Sequence, residues 1–436
     1  MTSRAQSRFA GLAPSLVFAA FLSLAGCATG PAQPPAPISS GKPRVDPVQQ
    51  GHTQEEEDLA SLHGDKVDAN GMPLPLPGLF TPEYLAGQDL IRAGVLLPFS
   101  HPNSGVRAEA EGMLAGIEMA MFDHAGEGFV LLPKDTAGSQ SQAVAMAEEA
   151  KSEGATFFLG PLFGANVAAL NSDQMLAGMP IIGFSNDRDV AGGNTWLASI
   201  TPEEEVASLV EYAVSKGYRQ FAYFGPQSAL GMRIETALQR SASQNGAIVA
   251  ATGFYPAGSA SPTNEAQYLA KAINSAQRAG GPVAVLIPER GTQLRKVAPL
   301  LPFYGLTRTS KLMGLSGWDD ASIWREPSLS RAWFVGPPQA DVQAFDARYE
   351  RIYGRAPSSL ASQAYDAAAL TIQLAADGEI TRDEMLASDG FYGLNGLFRF
   401  VPDGTTQRRL SIYEISPSEG AVEIKPAEET FEPGIG

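Results

Sequence analysis

From Leu90 onward the chain alternates short apolar runs with helical stretches that close on glycine, and this rhythm constrains the fold more than any other feature. LIRAGVLLPF, FVLLPKD, TFFLG and MPIIGFS are apolar runs of strand length. Between them lie EAEGMLAGIEMAMFDHAG, QAVAMAEEAKSEG and ANVAALNSDQMLAG; in the first, Met113, Ile117, Ala120 and Met121 fall at helical spacing. The second half repeats the pattern, with EEVASLVEYAVSKG before QFAYFG, IETALQRSASQNG before IVAATGFY, and EAQYLAKAINSAQRAGG before VAVLIP. Helices close at Gly154, Gly178, Gly217, Gly246 and Gly280, where a left-handed cap costs glycine little. Strands apolar on both faces and separated by helices predict parallel sheets covered on both sides. A break at Thr201-Pro202 divides the run. The expected fold class is α/β, with two doubly wound parallel-sheet lobes.

The chain is long enough to give each lobe its own core, at 436 residues and 44% hydrophobic. Its formal net charge of -16 argues against nonspecific nucleic-acid binding and against a basic membrane-surface patch. Cys27 is the only cysteine, so no disulfide forms within the chain and stability must come from packing.

That cysteine follows a targeting pattern. MTSRAQSR supplies Arg4 and Arg8 and no acid, and Phe9 to Gly26 is apolar and uncharged, which predicts an export signal over residues 1–26. Leu24-Ala25-Gly26-Cys27 resembles the lipobox of bacterial lipoproteins. The resemblance implies cleavage before Cys27, diacylglycerol on its sulfur and acylation of its new amino group. Several acyl chains at about 0.8 kcal/mol per buried methylene hold a protein durably, where one chain does not. No later apolar run approaches spanning length, so lipid is the expected membrane attachment. Ala28 and Thr29 follow the cysteine, with no Asp to retain a lipoprotein in the inner membrane. The expected address is the periplasmic side of the outer membrane. Residues 27–88 then form a tether, proline-rich in PAQPPAPISSGKPRVDPVQQ and acidic in GHTQEEEDLASLHGDKVDANG, unable to bury a core. Fully extended, it reaches about 200 Å at 3.3 Å per residue. Within it, MPLPLPG suits packing on the folded domain or docking in a partner's groove.

IRAGVLLPFS, the glycine-containing helix EGMLAGIEMA, and VLLPKDTAGSQSQAVAMAEEAKSEGATFFLGPL together resemble the type 1 periplasmic-binding-protein family, in particular its leucine/isoleucine/valine-binding members. The shared elements are Asp135-Thr136, the helix from Ala143 to Ala147, and Leu159-Gly160. The similarity runs from Leu90 to about Ile415. It implies three inter-lobe crossings, placed near Thr201, Gly336 and Gly396. The domain at 89–416 then divides into lobe one, about 89–200 and 336–396, and lobe two, about 201–335 and 397–416. Residues 417–436 read as an acidic tail.

In that family, hydroxyls and backbone amides after lobe-one strands hold a ligand carboxylate, and an aromatic and an acid on lobe two hold its ammonium. The candidate cleft residues here are Ser100, Leu162, Phe163, Ser185, Asn186, Leu230, Glu289, Trp318 and Asp319. Pro161-Leu162-Phe163-Gly164 stands where the family carries Ser and Thr, and Leu230-Gly231 where it carries Tyr-Gly. Ser185 is kept, but Asn186-Asp187-Arg188 replaces Thr-Ala, and the acid remains only as Asp319 or Asp320. Walls this poor in hydroxyls satisfy a zwitterion badly, which discounts an amino acid while leaving other small ligands open. GPLFGANVAAL and PIIGFSND resemble a second branch, the penicillin-binding-protein activators, outer-membrane lipoproteins whose binding-protein-like domain regulates a peptidoglycan synthase. The helical-repeat domain that can precede theirs has no counterpart in residues 28–88. This branch implies an activator or scaffold for peptidoglycan synthesis, with a peptidoglycan synthase or another envelope protein as partner. The alternative is the solute receptor of an ABC-type branched-chain amino acid transporter.

Catalysis finds little footing. The histidines are His52, His63, His101 and His124, with no HExxH and no His/Cys cluster for a metal. Neither GxSxG nor a P-loop occurs, and the S-x-x-K at Ser39 to Lys42 sits in the tether without a strand and helix to position it. Glu203, Glu204 and Glu205 read as a charged first turn after Pro202. Trp318 and Trp324 suit packing better than a cleft wall. The expectation is a non-enzyme without cofactor, metal or nucleic-acid partner.

Overall fold

Ile91–Leu97 forms β1, which the computed structural model places second in a five-stranded parallel sheet. The structure describes residues 90–431, except Glu127, Ala260, Arg308 and Ser359. The leader at 1–26, Cys27 and the tether to residue 88 lie outside the described residues. After β1 come α1 (Ser104–His124), β2 (Phe129–Asp135), α2 (Gln140–Ser152), β3 (Phe157–Leu159), α3 (Gly164–Ser172), β4 (Ile181–Gly183) and β5 (Thr195–Leu197). The sheet order is β2-β1-β3-β4-β5, every neighbour pair parallel. The apolar strands are buried on both faces because helices cover both, as the sequence pattern requires.

Lobe two opens with α4 (Pro202–Ser215), then β6 (Gln220–Gln227), α5 (Ala229–Gln244), β7 (Ile248–Pro256), α6 (Thr263–Gly280), β8 (Val283–Leu286), α7 (Gly291–Val297), α8 (Leu300–Phe303), β9 (Lys311–Gly314) and β10 (Trp333–Gly336). The chain returns to lobe one through α9 (Gln339–Tyr353), α10 (Ala361–Leu374) and α11 (Arg382–Met385). Then come β11 (Phe391–Gly393), β12 (Gly396–Phe400), β13 (Thr406–Arg408), β14 (Ser411–Ser416) and β15 (Gly420–Lys425). The second sheet runs β15-β14-β10-β9-β8-β6-β7. Its β14 and β15 are antiparallel to their neighbours, unlike the other strands.

α1 and α10 pack at close range beneath the first sheet. A methyl at Gly112 would meet Ser358, and one at Gly116 the carbonyl of Ala361 at the head of α10. The side of the helix that carries these glycines therefore sets the interhelical distance, and Met113, Ile117 and Ala120 fill the core beside it. Among the described residues no helix is long and apolar enough to cross a membrane.

Two boundaries differ from the sequence expectation. Residues from Gly396 on do not pass at once to lobe two: β12 and β13 form a separate three-stranded sheet with β11, and Phe398 and Phe400 enter the lobe-one core. Phe400 meets Trp196 edge-on, with centroids 5.5 Å apart, and the Leu197 N–H donates to the Gly404 carbonyl at 2.9 Å. The last of the three crossings comes instead at Arg409-Leu410, since Leu410 already packs in lobe two. The second difference is in the tail. Gly420–Lys425 is an ordered edge strand pairing with β14, and beyond it the chain crosses back, so that Phe431 lies over Arg399 and Arg409.

Candidate functional site

The loops that leave the carboxyl ends of parallel strands face one another between the lobes, the position where ligands bind in open α/β sheets. After β1 the loop is fixed internally. Arg107 Nη1 donates to the carbonyls of His101 at 2.7 Å and Pro102 at 3.0 Å, and the Ser100 N–H donates to Asp135 Oδ1 at 3.1 Å. Burial works to raise the Asp135 carboxyl, but hydrogen bonds from Ser100 and from the N–H groups of Ala137 and Phe99 outweigh it and hold it below the usual range. Ser100 itself is exposed.

After β3 the chain turns at Gly160, whose φ is +103°, into a cis bond to Pro161. Leu162 packs inward on the lobe-one core. Phe163 is the N-cap of α3 and offers no side-chain hydrogen bond to the helix. Its ring tilts against His101, with centroids 5.6 Å apart. A serine or threonine here would hold a carboxylate beside exposed helix N–H groups; phenylalanine covers that place with carbon. After β4, Ser185 is buried and its Oγ accepts the Asp187 N–H at 3.0 Å, so the hydroxyl closes its own turn. Asn186 is exposed at the tip.

On lobe two, Ser228 caps α5 through the Gly231 N–H at 3.0 Å, and Leu230 in the first turn is 46% exposed. One turn on, Arg233 Nη2 donates to the Asn186 carbonyl at 2.7 Å, bridging the lobes. Glu289 is half-buried, and its Oε1 accepts the Tyr255 hydroxyl at 2.7 Å. Burial, with that hydrogen bond to Glu289 adding, pushes the Tyr255 phenol far up. Trp318, named among the cleft candidates although packing suited it better, is fully buried in the lobe-two core, stacked over Gly314, with Nε1 donating to the Glu289 carbonyl at 2.9 Å, which corrects its place in the cleft set. It lines no cleft. Asp319 Oδ1 accepts Gln339 Nε2 at 2.9 Å, which ties it to the second crossing. The structure thus gathers Leu162, Phe163, Ser185 and Asn186 on lobe one opposite the start of α5, and leaves Trp318 in the core.

Three glutamates read as one charged turn have three roles. Glu203 Oε1 lies 2.7 Å from Arg233 Nε. Glu204 Oε2 closes the capping box with the Thr201 N–H at 3.0 Å and also accepts Thr406 Oγ1 at 3.3 Å, joining the first crossing to β13. Burial raises its carboxyl, opposed chiefly by Arg408. Glu205 is buried, with Oε1 accepting the Ser316 N–H at 2.7 Å. Arg408, also buried, donates to the Ala198 carbonyl and stacks on Phe398 at 4.5 Å. Burial also raises Asp366, against hydrogen bonds from Asn395 and the N–H groups of Asn395 and Leu394. The hinge is a buried polar network. Sequence reasoning missed Arg233 and Arg408, because an arginine on a helix or strand carries no local sign of spanning two lobes. Among the described residues no group of His, Cys, Asp and Glu could hold a metal ion.

Over residues 90–421 the sequence matches the family described as periplasmic binding protein. No curated protein matches it significantly. Among solved structures it is similar to a putative branched-chain amino acid ABC transporter protein from Rhodospirillum rubrum (TM-score 0.65, 17% identity, 76% of this chain and 99% of that one covered). A second is the C-domain of LpoA from Haemophilus influenzae, a regulator of PBP1A (TM-score 0.59, 17% identity, 76% and 99% covered). A third is a solute-binding protein from R. palustris in complex with benzoate (TM-score 0.55, 16% identity, 78% and 97% covered). At these identities the likeness is one of fold, the type 1 periplasmic-binding-protein fold. With its two α/β lobes, its crossings at the hinge and a sequence match over nearly all the described residues, this chain belongs to the periplasmic binding protein family.

Proposed function

We propose that this protein is a non-enzymatic envelope lipoprotein, held by lipid on Cys27 at the periplasmic side of the outer membrane, whose binding-protein domain acts as an activator or scaffold for peptidoglycan synthesis. The observation that carries this reading is the floor of the cleft on lobe one. Phe163 lies against His101 where a carboxylate would need hydroxyls, and the Ser185 hydroxyl is engaged by the Asp187 N–H. Desolvating a zwitterion against such a wall costs several kcal/mol that nothing here returns. A domain of this fold with an unsuitable cleft has its surfaces left for protein contact, and the likeness to the LpoA C-domain supports that use.

The second reading, a solute receptor for an ABC-type transporter of branched-chain amino acids, is favoured by the similarity in fold to binding proteins of that kind. One experiment separates the two. The purified full chain is added to a peptidoglycan synthase, and glycan polymerisation and crosslinking rates are followed; in parallel, leucine, isoleucine and valine are titrated calorimetrically. Saturable stimulation without amino-acid heat is expected. Micromolar amino-acid binding that is lost in Ser185→Ala, with no stimulation, reverses the assignment. The anchor is tested separately: Cys27→Ser should take up no labelled palmitate, because a hydroxyl does not replace the thiolate in lipid transfer.

A further inference from the structure

The amino ends of β6, β8, β9 and β10 surround a cavity of about 1060 Å³ on lobe two, at the opposite end of the sheet from the cleft loops. Its sharpest edge is the turn from Leu329 to Ala332. The Ala332 N–H donates to the Leu329 carbonyl at 2.9 Å, and Ser330 has φ −56° and ψ 126°. Arg331 follows with φ +63°, so these residues form a type II turn whose third position usually takes glycine or asparagine. An arginine there holds a strained backbone. Main-chain contacts fix the turn: the Arg331 N–H donates to the Ile415 carbonyl at 2.8 Å, and its carbonyl accepts Lys311 Nζ at 2.6 Å. Any residue would make them. The Arg331 side chain is 80% exposed, with Nε 3.9 Å from Glu414, whose carboxylate is already engaged by Lys311 at 3.3 Å and by Trp333 Nε1 at 3.1 Å. What distinguishes arginine at this strained position is therefore its guanidinium.

A second wall carries hydroxyls in a set arrangement. Gln277, near the end of α6, donates through Nε2 to Ser310 Oγ at 2.7 Å and Thr309 Oγ1 at 3.2 Å, and its Oε1 accepts the Thr307 hydroxyl at 2.5 Å. Thr307 and Thr309 lie 2.9 Å apart; with the Thr307 proton given to Gln277, Thr309 is the donor of that pair. The loop thus presents hydroxyl oxygens as acceptors, and the Ser310 O–H as a donor, from fixed positions. Pro302 and Pro327 add rigid apolar surface. On a chain of net charge -16, the described residues that line this cavity include Lys311 and Arg331 and no carboxylate. We propose that the cavity binds a sugar carrying an anionic substituent. Arg331 takes the acid, since a guanidinium matches a carboxylate or phosphate with two parallel hydrogen bonds. The loop ordered by Gln277 takes ring hydroxyls, and the prolines meet the C–H faces; a few convergent polar groups among apolar walls fix a ligand's orientation. The inference is independent of the cleft and of the proposed function.

The test titrates the purified full chain calorimetrically with N-acetylmuramic acid, N-acetylglucosamine 1-phosphate and neutral N-acetylglucosamine. An acid sugar is expected to bind at least ~10-fold more tightly than the neutral one, the difference one charge-assisted hydrogen bond makes. Which acid sugar binds more tightly tells carboxylate from phosphate. Arg331→Gly suits the turn, so it should melt no lower than the parent and still lose at least ~10-fold in affinity for the acid sugar. Ser310→Ala, which leaves Arg331 in place, should weaken the acid sugar as well. A lower melting temperature in Arg331→Gly with unchanged affinity would make the arginine a structural residue and overturn the proposal. So would the absence of saturable heat from all three probes, or equal affinity for the neutral sugar. Inorganic phosphate binding as tightly as the sugar phosphate would leave a bare charge contact, and would overturn it too.

Discussion

Arg233 on lobe two donates through Nη2 to the backbone carbonyl of Asn186 on lobe one at 2.7 Å, while its Nε lies 2.7 Å from Glu203. The acid orients the guanidinium and the guanidinium bridges the cleft. A hydrogen bond from a charged group contributes about 1.5–3 kcal/mol, enough to bias the lobes toward one separation.

Arg233→Ala should therefore let the lobes open. Small-angle scattering is expected to show a larger radius of gyration than the parent, and the lobe cores should keep their circular dichroism. Arg233→Lys, which lacks the planar fork, should fall between the two. An unchanged scattering curve for the alanine variant would show that the bridge does not set the lobe separation.

Leucine, isoleucine and valine should leave the melting temperature unmoved. A ligand bound only by the folded state adds about 2.7 kcal/mol at a hundredfold excess over its Kd, an effect thermal denaturation reads easily. With Phe163 against His101 and Ser185 engaged in its own turn, no such gain is expected. A rise abolished by Ser185→Ala would contradict this.

Burial raises the Glu205 carboxyl from 4.5 to about 7; the Ser316 hydrogen bond opposes the rise, and the charges of Glu204 and Glu203 add to it. A carboxyl raised in the folded state binds its proton more tightly there than in the unfolded chain. Its contribution is thus greatest below about pH 4.5 and is lost as pH climbs to about 7. At about 1.4 kcal/mol per unit, the swing approaches ~3 kcal/mol. Glu205→Gln keeps an oxygen for the Ser316 N–H and cannot ionise. Urea denaturation at a series of pH values should show the variant gaining on the parent by up to that amount between pH 4.5 and 7. A difference that does not change with pH would refute the burial of this charge.

Phe431 lies between Arg399 and Arg409, with its ring centroid 4.3 and 4.8 Å from the two guanidinium carbons. The segment leading to it is held by Arg409–Glu428 at 3.2 Å and by the Ala427 N–H donating to Ser411 Oγ at 2.9 Å. Two such stacks at 0.5–1 kcal/mol or more each, with the lost apolar contact, predict a cost of about 2 kcal/mol for Phe431→Ala. Phe431→Leu should recover the packing share alone. Equal stability of all three proteins in thermal melts would show that the segment adds nothing.

The doubly wound lobes were legible because β1, β3, β4 and β8 are apolar on both faces and the helices between them close on glycine, a pattern with few other solutions. Phe398 and Phe400 alternate with Arg399, so a strand could be read there, but which lobe it joins is decided by Trp196, some two hundred positions earlier. AVEIK looked like tail because an edge strand with one wet face carries as much charge as a disordered end. Trp318 could be placed in cleft or core, with packing the better fit; what settles it is Gly314, whose missing side chain makes room for the indole. At the cleft, Leu162 and Phe163 could be placed from the sequence, while the partner across the gap could not, since nothing near Arg233 announces Asn186.

Both ends of the described chain finish on lobe one: Ile91 starts its sheet, and Phe431 rests on Arg399 of its small sheet. A pull applied at Ile91 or Phe431 is therefore borne first by lobe one and reaches lobe two through the hinge and the Arg233–Asn186 bridge. Force arriving from the amino-terminal side would load lobe one first and lobe two second, so that the two faces would meet a neighbour on unequal mechanical terms.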